Sequence, residues 1–176
     1  MNIKRLTMIP MFTAMIAVSI YVLPNFIIPV VLVPFTLQLM IIMFISYTLK
    51  PIDAFLSIFL YVVLGAIGLP IFSGFRGGLN VLFGPTGGFI MLFPVIGFLI
   101  SHFKSNSQNK KRDLAVGFIF GIIVLYLGAN LWLSIVLDLN YINSLLALLI
   151  FIPFDILKLL LAYYIYLRIP KEIFKW

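Results

Sequence analysis

Residues 65–88 read GAIGLPIFSGFRGGLNVLFGPTGG and hold eight of the chain's twelve glycines and two of its ten prolines. On both sides the sequence runs in long apolar stretches. Glycine permits left-handed backbone and close approach, and proline removes a helix donor. The stretch therefore predicts a break in helix longer than a dozen residues. In a bilayer, backbone released from helix must be buried in protein or line a cavity. A structured re-entrant loop or lid over a binding site fits that demand. The alternative is a flexible connector between two spans, which its length disfavours, because long structureless loops are uncommon in compact proteins.

Composition places the loop in a membrane protein. Of 176 residues, 64% are apolar and 10% charged, whereas soluble domains carry about 25% charged residues. The expected fold class is an all-α integral membrane protein, one domain over residues 1–176. Six transmembrane helices are expected, with the glycine-rich outer loop between the third and fourth. Their approximate bounds are 6–23, 36–49, 51–69, 86–103, 114–137 and 153–168. Pro51 suits a first helical position, where its missing donor costs nothing. Pro153 either kinks one long helix or opens a new one; the second reading is preferred, with a short outer helix before it.

The net charge of +7 does not point to nucleic acid. Lys4 and Arg5, Lys50, Lys104 and Lys110 to Arg112, then Arg168, Lys171 and Lys175 fall in alternate connections, and the others hold only Arg76. By the positive-inside rule both termini are expected in the cytoplasm of a multi-pass cell-membrane protein. The first apolar run has no small-x-small cleavage site, so it reads as a retained helix. Thr13 and Ala17, four apart on its surface, would let another helix approach closely.

Few residues could carry chemistry. No cysteine is present and His102 is the one histidine, so neither thiol chemistry nor a metal cluster is expected. No Gly-Lys-Ser/Thr phosphate loop and no Ser/His/Asp set occurs, and an enzyme is not expected. Asp155 and Lys158 share one helix face. Intramembrane charges cost about 2.5–3.5 kcal/mol each and mark functional sites or neutralise one another. If Pro153 opens the helix, Asp155 lies where the helix dipole favours a carboxylate. Acceptor beside donors suits an uncharged group carrying N–H and C=O, such as a cyclic urea or amide. The other reading is a structural ion pair. Arg76 could hold a ligand carboxylate or reach headgroups. Asn80 offers donors and an acceptor from the loop, and Gln38 either faces the site or sits at headgroup level. Phe35, Phe72 and Phe75 are the aromatic candidates for a ligand wall.

Four blocks of sequence resemble the biotin-specific substrate-binding (S) component of energy-coupling factor (ECF) transporters, the BioY family. They are Pro34 to Gln38 (PFTLQ), Tyr61 to Pro70 (YVVLGAIGLP), Gly77-Gly78 with Phe83 to Gly88 (FGPTGG), and Pro153-Phe154-Asp155-x-x-Lys158. The resemblance covers nearly the whole chain. It implies high-affinity biotin capture near the outer face, with Asp155 and Lys158 on the ureido ring and Asn80 and loop backbone such as Gly78 on the rest. It implies no cofactor, biotin being cargo. As partners it implies a transmembrane coupling protein and two ATP-binding subunits, docked through an Ala-x-x-x-Ala face that Thr13 and Ala17 would supply here. Phe154 stands where the family usually has Gly, and Phe75-Arg76 replaces smaller residues. The competing readings are an S component for another vitamin, a small intramembrane enzyme, and a structural subunit without ligand.

Overall fold

The computed structural model describes residues 3–22, 26–27, 34–105 and 109–170. Most of the expected outer connection from Pro24 to Pro34, the middle of the polar linker, and Lys171, Glu172 and Lys175 lie outside the described residues. The helices are α1 (Ile3–Val22), α2 (Gln38–Thr48), α3 (Pro51–Ala66), α4 (Leu79–Leu82), α5 (Gly87–Phe103), α6 (Lys110–Phe118), α7 (Leu125–Val136), α8 (Tyr141–Leu148) and α9 (Ile152–Arg168). Two short strands, β1 (Phe26–Ile27) and β2 (Pro34–Phe35), pair antiparallel before α2, a small β element that the all-helical expectation did not contain.

Among the described residues, three continuous helical paths are long and apolar enough to cross a membrane, namely Arg5–Val22, Lys110–Val136 and Tyr141–Arg168. The apolar helices α2, α3 and α5 are shorter. The second long path joins α6 to α7 through a π-helical turn, Ile119–Val124. In the third, a 3₁₀ turn at Leu149–Phe151 leads from α8 into α9. The expected short outer helix is α8, and the helix expected from about Pro153 is α9, which begins at Ile152. The proline and Asp155 both lie in its first turn, and the 3₁₀ turn joins it to α8 without a break.

Cations gather at one end of the bundle, the end where α1 begins, α2 gives way to α3, and α5 and α9 finish. Lys104, just past α5, donates to the carbonyls of Ser46 (3.0 Å), Tyr47 (2.7 Å) and Leu49 (2.6 Å). It thereby satisfies carbonyls that the last turn of α2 leaves open. Ser101 Oγ adds a fourth donor, to Leu49 O at 2.6 Å. Asn109 opens α6 by accepting from the Arg112 amide, and Asn140 opens α8 by accepting from the amides of Ile142 and Asn143, both ordinary side-chain caps.

The bundle packs around α2, where residues from Gln38 and Leu39 through Ile42 to Tyr47 are buried. Thr13 belongs to this interior. It is 2% exposed, and its hydroxyl lies 2.9 Å from Ile9 O and 2.8 Å from Ser57 O. The small residue does admit a helix at close range, but that helix is α3 of the same chain. Ala17 is half-buried against the core, and α1 turns Met11, Ala14, Met15 and Val18 outward.

The glycine-rich stretch is folded rather than slack. Phe72 and Arg76 pair backbone to backbone across a tight turn. The Phe72 ring is fully buried, 5.5 Å from Tyr61, in space that Gly65 leaves open; a Cβ at Gly65 would overlap the ring. Gly78, at φ +94°, turns the chain into α4 and donates its amide to Gly65 O at 2.7 Å. Trp132 Nε1 of α7 donates to Gly84 O at 3.0 Å. Tyr21 of α1 donates to Pro70 O at 3.2 Å and packs on Phe75, with ring centroids 5.0 Å apart. The stretch is thus fastened to α1, α3 and α7.

Candidate functional site

At the end of the bundle opposite the cation cluster, the helices surround a partly open cavity. Its walls come from separate parts of the chain. Pro34 and Phe35 arrive on β2, Thr36 just after it, and Gln38 and Leu39 on the first turn of α2. Ser73 comes from the glycine-rich stretch, Thr86 and the aromatics Phe89 and Phe93 from the entry and face of α5. Tyr126 of α7 and the pair Asp155 and Lys158 of α9 supply most of the remaining polarity.

Asp155 and Lys158 are 4% and 6% exposed, and Lys158 Nζ donates to Asp155 Oδ1 at 2.6 Å. Tyr126 Oη donates to the other carboxylate oxygen, Oδ2. The ammonium also sits 3.9 Å from the centroid of the Phe35 ring, where the negative face of the ring attracts it. Phe154 packs edge-on against that ring, at 5.5 Å, so the side chain at this position supports the wall from outside. Two desolvated charges are costly unless paired and hydrogen-bonded, and here each has its counterpart. Each carboxylate oxygen nonetheless retains acceptor capacity, and an ammonium has three donors. The pair can therefore receive a neutral group whose N–H and C=O stand side by side, while the aromatic walls cover its apolar part.

Gln38 reaches the same cavity from the floor. Its Nε2 donates to Tyr61 Oη at 2.6 Å and to Ile71 O at 3.4 Å, and Tyr61 Oη donates to Ile71 O at 3.2 Å. Gln38 therefore ties the start of α2 to the glycine-rich stretch as well as facing the hollow.

The cavity brings together Asp155, Lys158 and Gln38 among the residues singled out in the sequence. Arg76, Asn80 and Gly78 do not line it. Arg76 is exposed and its Nε donates to Ser73 O at 3.2 Å; Asn80 is exposed on α4; Gly78 shapes backbone. Of the three phenylalanines, Phe35 is a wall, Phe72 is core, and Phe75 is exposed beside Tyr21. Sequence reasoning missed Tyr126, Ser73 and Thr86. A tyrosine within an apolar helix carries no mark that separates it from a packing residue.

Tyr126→Phe tests its part. The substitution removes a hydrogen bond to a charged acceptor, of about 1.5–3 kcal/mol. Calorimetric ligand affinity is expected to fall about tenfold or more with the fold intact; unchanged affinity would reduce Tyr126 to wall.

The model of the BioY family matches residues 1–175. Over 161 residues the chain is 36% identical to the biotin transporter BioY2 of Lactococcus lactis, covering 92% of this chain and 85% of that one. It is 35% identical over 169 residues to the biotin transporter BioY of Thermotoga maritima, covering 96% of each. Its fold is similar to a crystal structure of the S-component for biotin from an ECF-type ABC transporter, with a TM-score of 0.89 and 32% identity over 93% of this chain and 89% of that one. With a family model spanning nearly every residue, and relatives that agree in sequence and in fold, the chain belongs to the BioY family.

Proposed function

We propose that the protein captures biotin in this cavity as the S component of an ECF-type vitamin uptake transporter. The observation that carries the reading is the buried Asp155–Lys158 pair facing a hollow walled by aromatic side chains. A ureido ring has N–H groups for the carboxylate and a carbonyl for the ammonium. Phe35, Phe89 and Phe93 supply apolar surface for the rest of the molecule. Gln38 is the further polar contact. Arg76, Asn80 and Gly78 would act from the neighbouring loop, Arg76 as a cation toward which a ligand carboxylate can point. Catalysis has no part in the reading, nor does a cofactor, biotin being cargo.

In the membrane, the three long helical paths and α2, α3 and α5 would make six spans. By the positive-inside rule the clustered cations support cytoplasmic termini, and the cavity would then face the outside. A coupling protein and two ATP-binding subunits would complete the transporter. With Thr13 turned inward, the side of α1 available to such a partner is that of Ala14 and Val18, bordered by Ala17.

Titration calorimetry of the detergent-purified protein tests the ligand, with mass spectrometry of whatever small molecule co-purifies. Biotin is expected to bind tightly, and thiamine or riboflavin not to compete. Absence of biotin binding, or displacement of biotin by another vitamin, would overturn the assignment.

A further inference from the structure

Tyr61 of α3 is fully buried and does not itself line the cavity. Its hydroxyl nonetheless completes a triangle with two groups from other parts of the chain. Gln38 Nε2, on the first turn of α2, donates to Tyr61 Oη at 2.6 Å and to Ile71 O at 3.4 Å, and Tyr61 Oη donates to Ile71 O at 3.2 Å. The tyrosine ring is held in turn by the buried Phe72, to which it stands edge-on with centroids 5.5 Å apart.

The direction of every proton in the triangle follows from its one carbonyl. Ile71 O can only accept, so it draws the single hydroxyl proton of Tyr61 and one amide proton of Gln38. Tyr61 Oη, its proton spent, accepts from Gln38, which uses the second amide proton. A side chain turned the other way would set the amide oxygen against Ile71 O, acceptor against acceptor. The nitrogen is therefore committed, and Oε1 is the atom of Gln38 left for the cavity that this residue lines. Among the described residues no group donates to Oε1, and the atom is not sealed off.

Proton chemistry decides which ligand group can meet that oxygen. At neutral pH the donors of biotin are the N–H groups of its ureido ring, whereas its carboxylate, carbonyl and thioether only accept. An amide oxygen repels the carboxylate and selects an N–H. We propose that Tyr61 is a positioning residue for the ligand, holding the Gln38 amide so that Oε1 accepts one ureido N–H while Asp155 accepts the other. This role rests on biotin being the ligand. Tyr61→Phe keeps the ring against Phe72 and removes only the hydroxyl, which leaves one amide proton of Gln38 without its acceptor and the side chain free to turn.

Titration calorimetry with biotin tests it on the purified protein, on Tyr61→Phe, on Gln38→Met and on the double variant. Tyr61→Phe is expected to weaken binding about threefold and Gln38→Met about tenfold. The double variant should bind as Gln38→Met does, because Tyr61 reaches the ligand only through Gln38. Dethiobiotin, which keeps the ureido ring and lacks the sulfur, should show the same losses. Equal affinity of Tyr61→Phe and the unaltered protein would overturn the proposal. So would a further loss on adding Tyr61→Phe to Gln38→Met, since a general loosening of the fold persists in that background and a role through Gln38 does not. Losses found with biotin but not with dethiobiotin would overturn it too. Failure of the unaltered protein to bind biotin would overturn the biotin reading and this role together, a result distinct from every comparison among the variants.

Discussion

Asp155→Asn is expected to lower biotin affinity at least about tenfold, since it removes charge-assisted hydrogen bonds of about 1.5–3 kcal/mol each. The same substitution leaves Lys158 buried without its counter-ion, which costs about 3–5 kcal/mol of stability. Loss of binding in the single variant could then follow from a damaged fold. A double variant, Asp155→Leu with Lys158→Met, separates the two effects. Replacing a buried ion pair by apolar side chains of similar volume is often neutral or stabilising. Thermal unfolding should return to the original midpoint or above it, while calorimetry still finds no biotin binding. A double variant that binds biotin as the unaltered protein does would make the pair a structural feature only, and the ligand assignment would fail with it. Tyr126 sharpens the comparison, because its hydroxyl loses its charged acceptor in the double variant without being altered itself.

Gly87→Ala should bring the largest loss of stability available from a single added methyl group. A Cβ at Gly87 would overlap the backbone carbonyl of Leu82, and backbone cannot rotate aside as a side chain can. Overpacking of this kind costs about 1–3 kcal/mol and sometimes more, which lowers the midpoint of a domain this size by about 2–4 °C per kcal/mol. Gly128→Ala is the control. There the nearest atom is the Cδ1 tip of Leu92, at 2.8 Å, which a rotamer change can move. The Gly87 variant should unfold at a clearly lower temperature and bind biotin less well, because Thr86 and Phe89 of the cavity flank the altered turn. Equal midpoints for the two variants would mean that the α4–α5 turn yields to the added methyl group as easily as the Leu92 side chain does.

Much of this architecture could be read from residue types alone. Apolar runs locate the helices, and the alternation of cations among the connections identifies the bundle end to which they belong. Asp155 and Lys158 stand out because charge is rare within apolar sequence and three residues is a helical spacing. Gln38 borders the cavity because the chain enters α2 there. What escaped are relations between distant elements. Tyr126 and Asp155 are brought together only by the tertiary fold, in which α7 packs on α5 and α9 on α2, and no periodicity announces it. Thr13 has the spacing of a docking surface, but spacing cannot tell which helix will dock; the contact of its hydroxyl with Ser57 O decides for α3. Pro153 was expected to start a helix. It does lie in the first turn of α9, where a missing donor costs little, and what escaped is the 3₁₀ turn that joins this helix to α8.

The shortness of α2 explains how room for a vitamin exists at all. Eleven residues rise about 16 Å, roughly half of a hydrocarbon layer about 30 Å thick. A lipid-facing helix of that length would oblige the bilayer to deform around it, but α2 is sheathed by its neighbours and has no such thickness to match. One end is pinned by the Lys104 ammonium, and the other stops at Gln38, at the wall of the cavity. The helix ends where the chamber begins, and two further turns of it would intrude on that space.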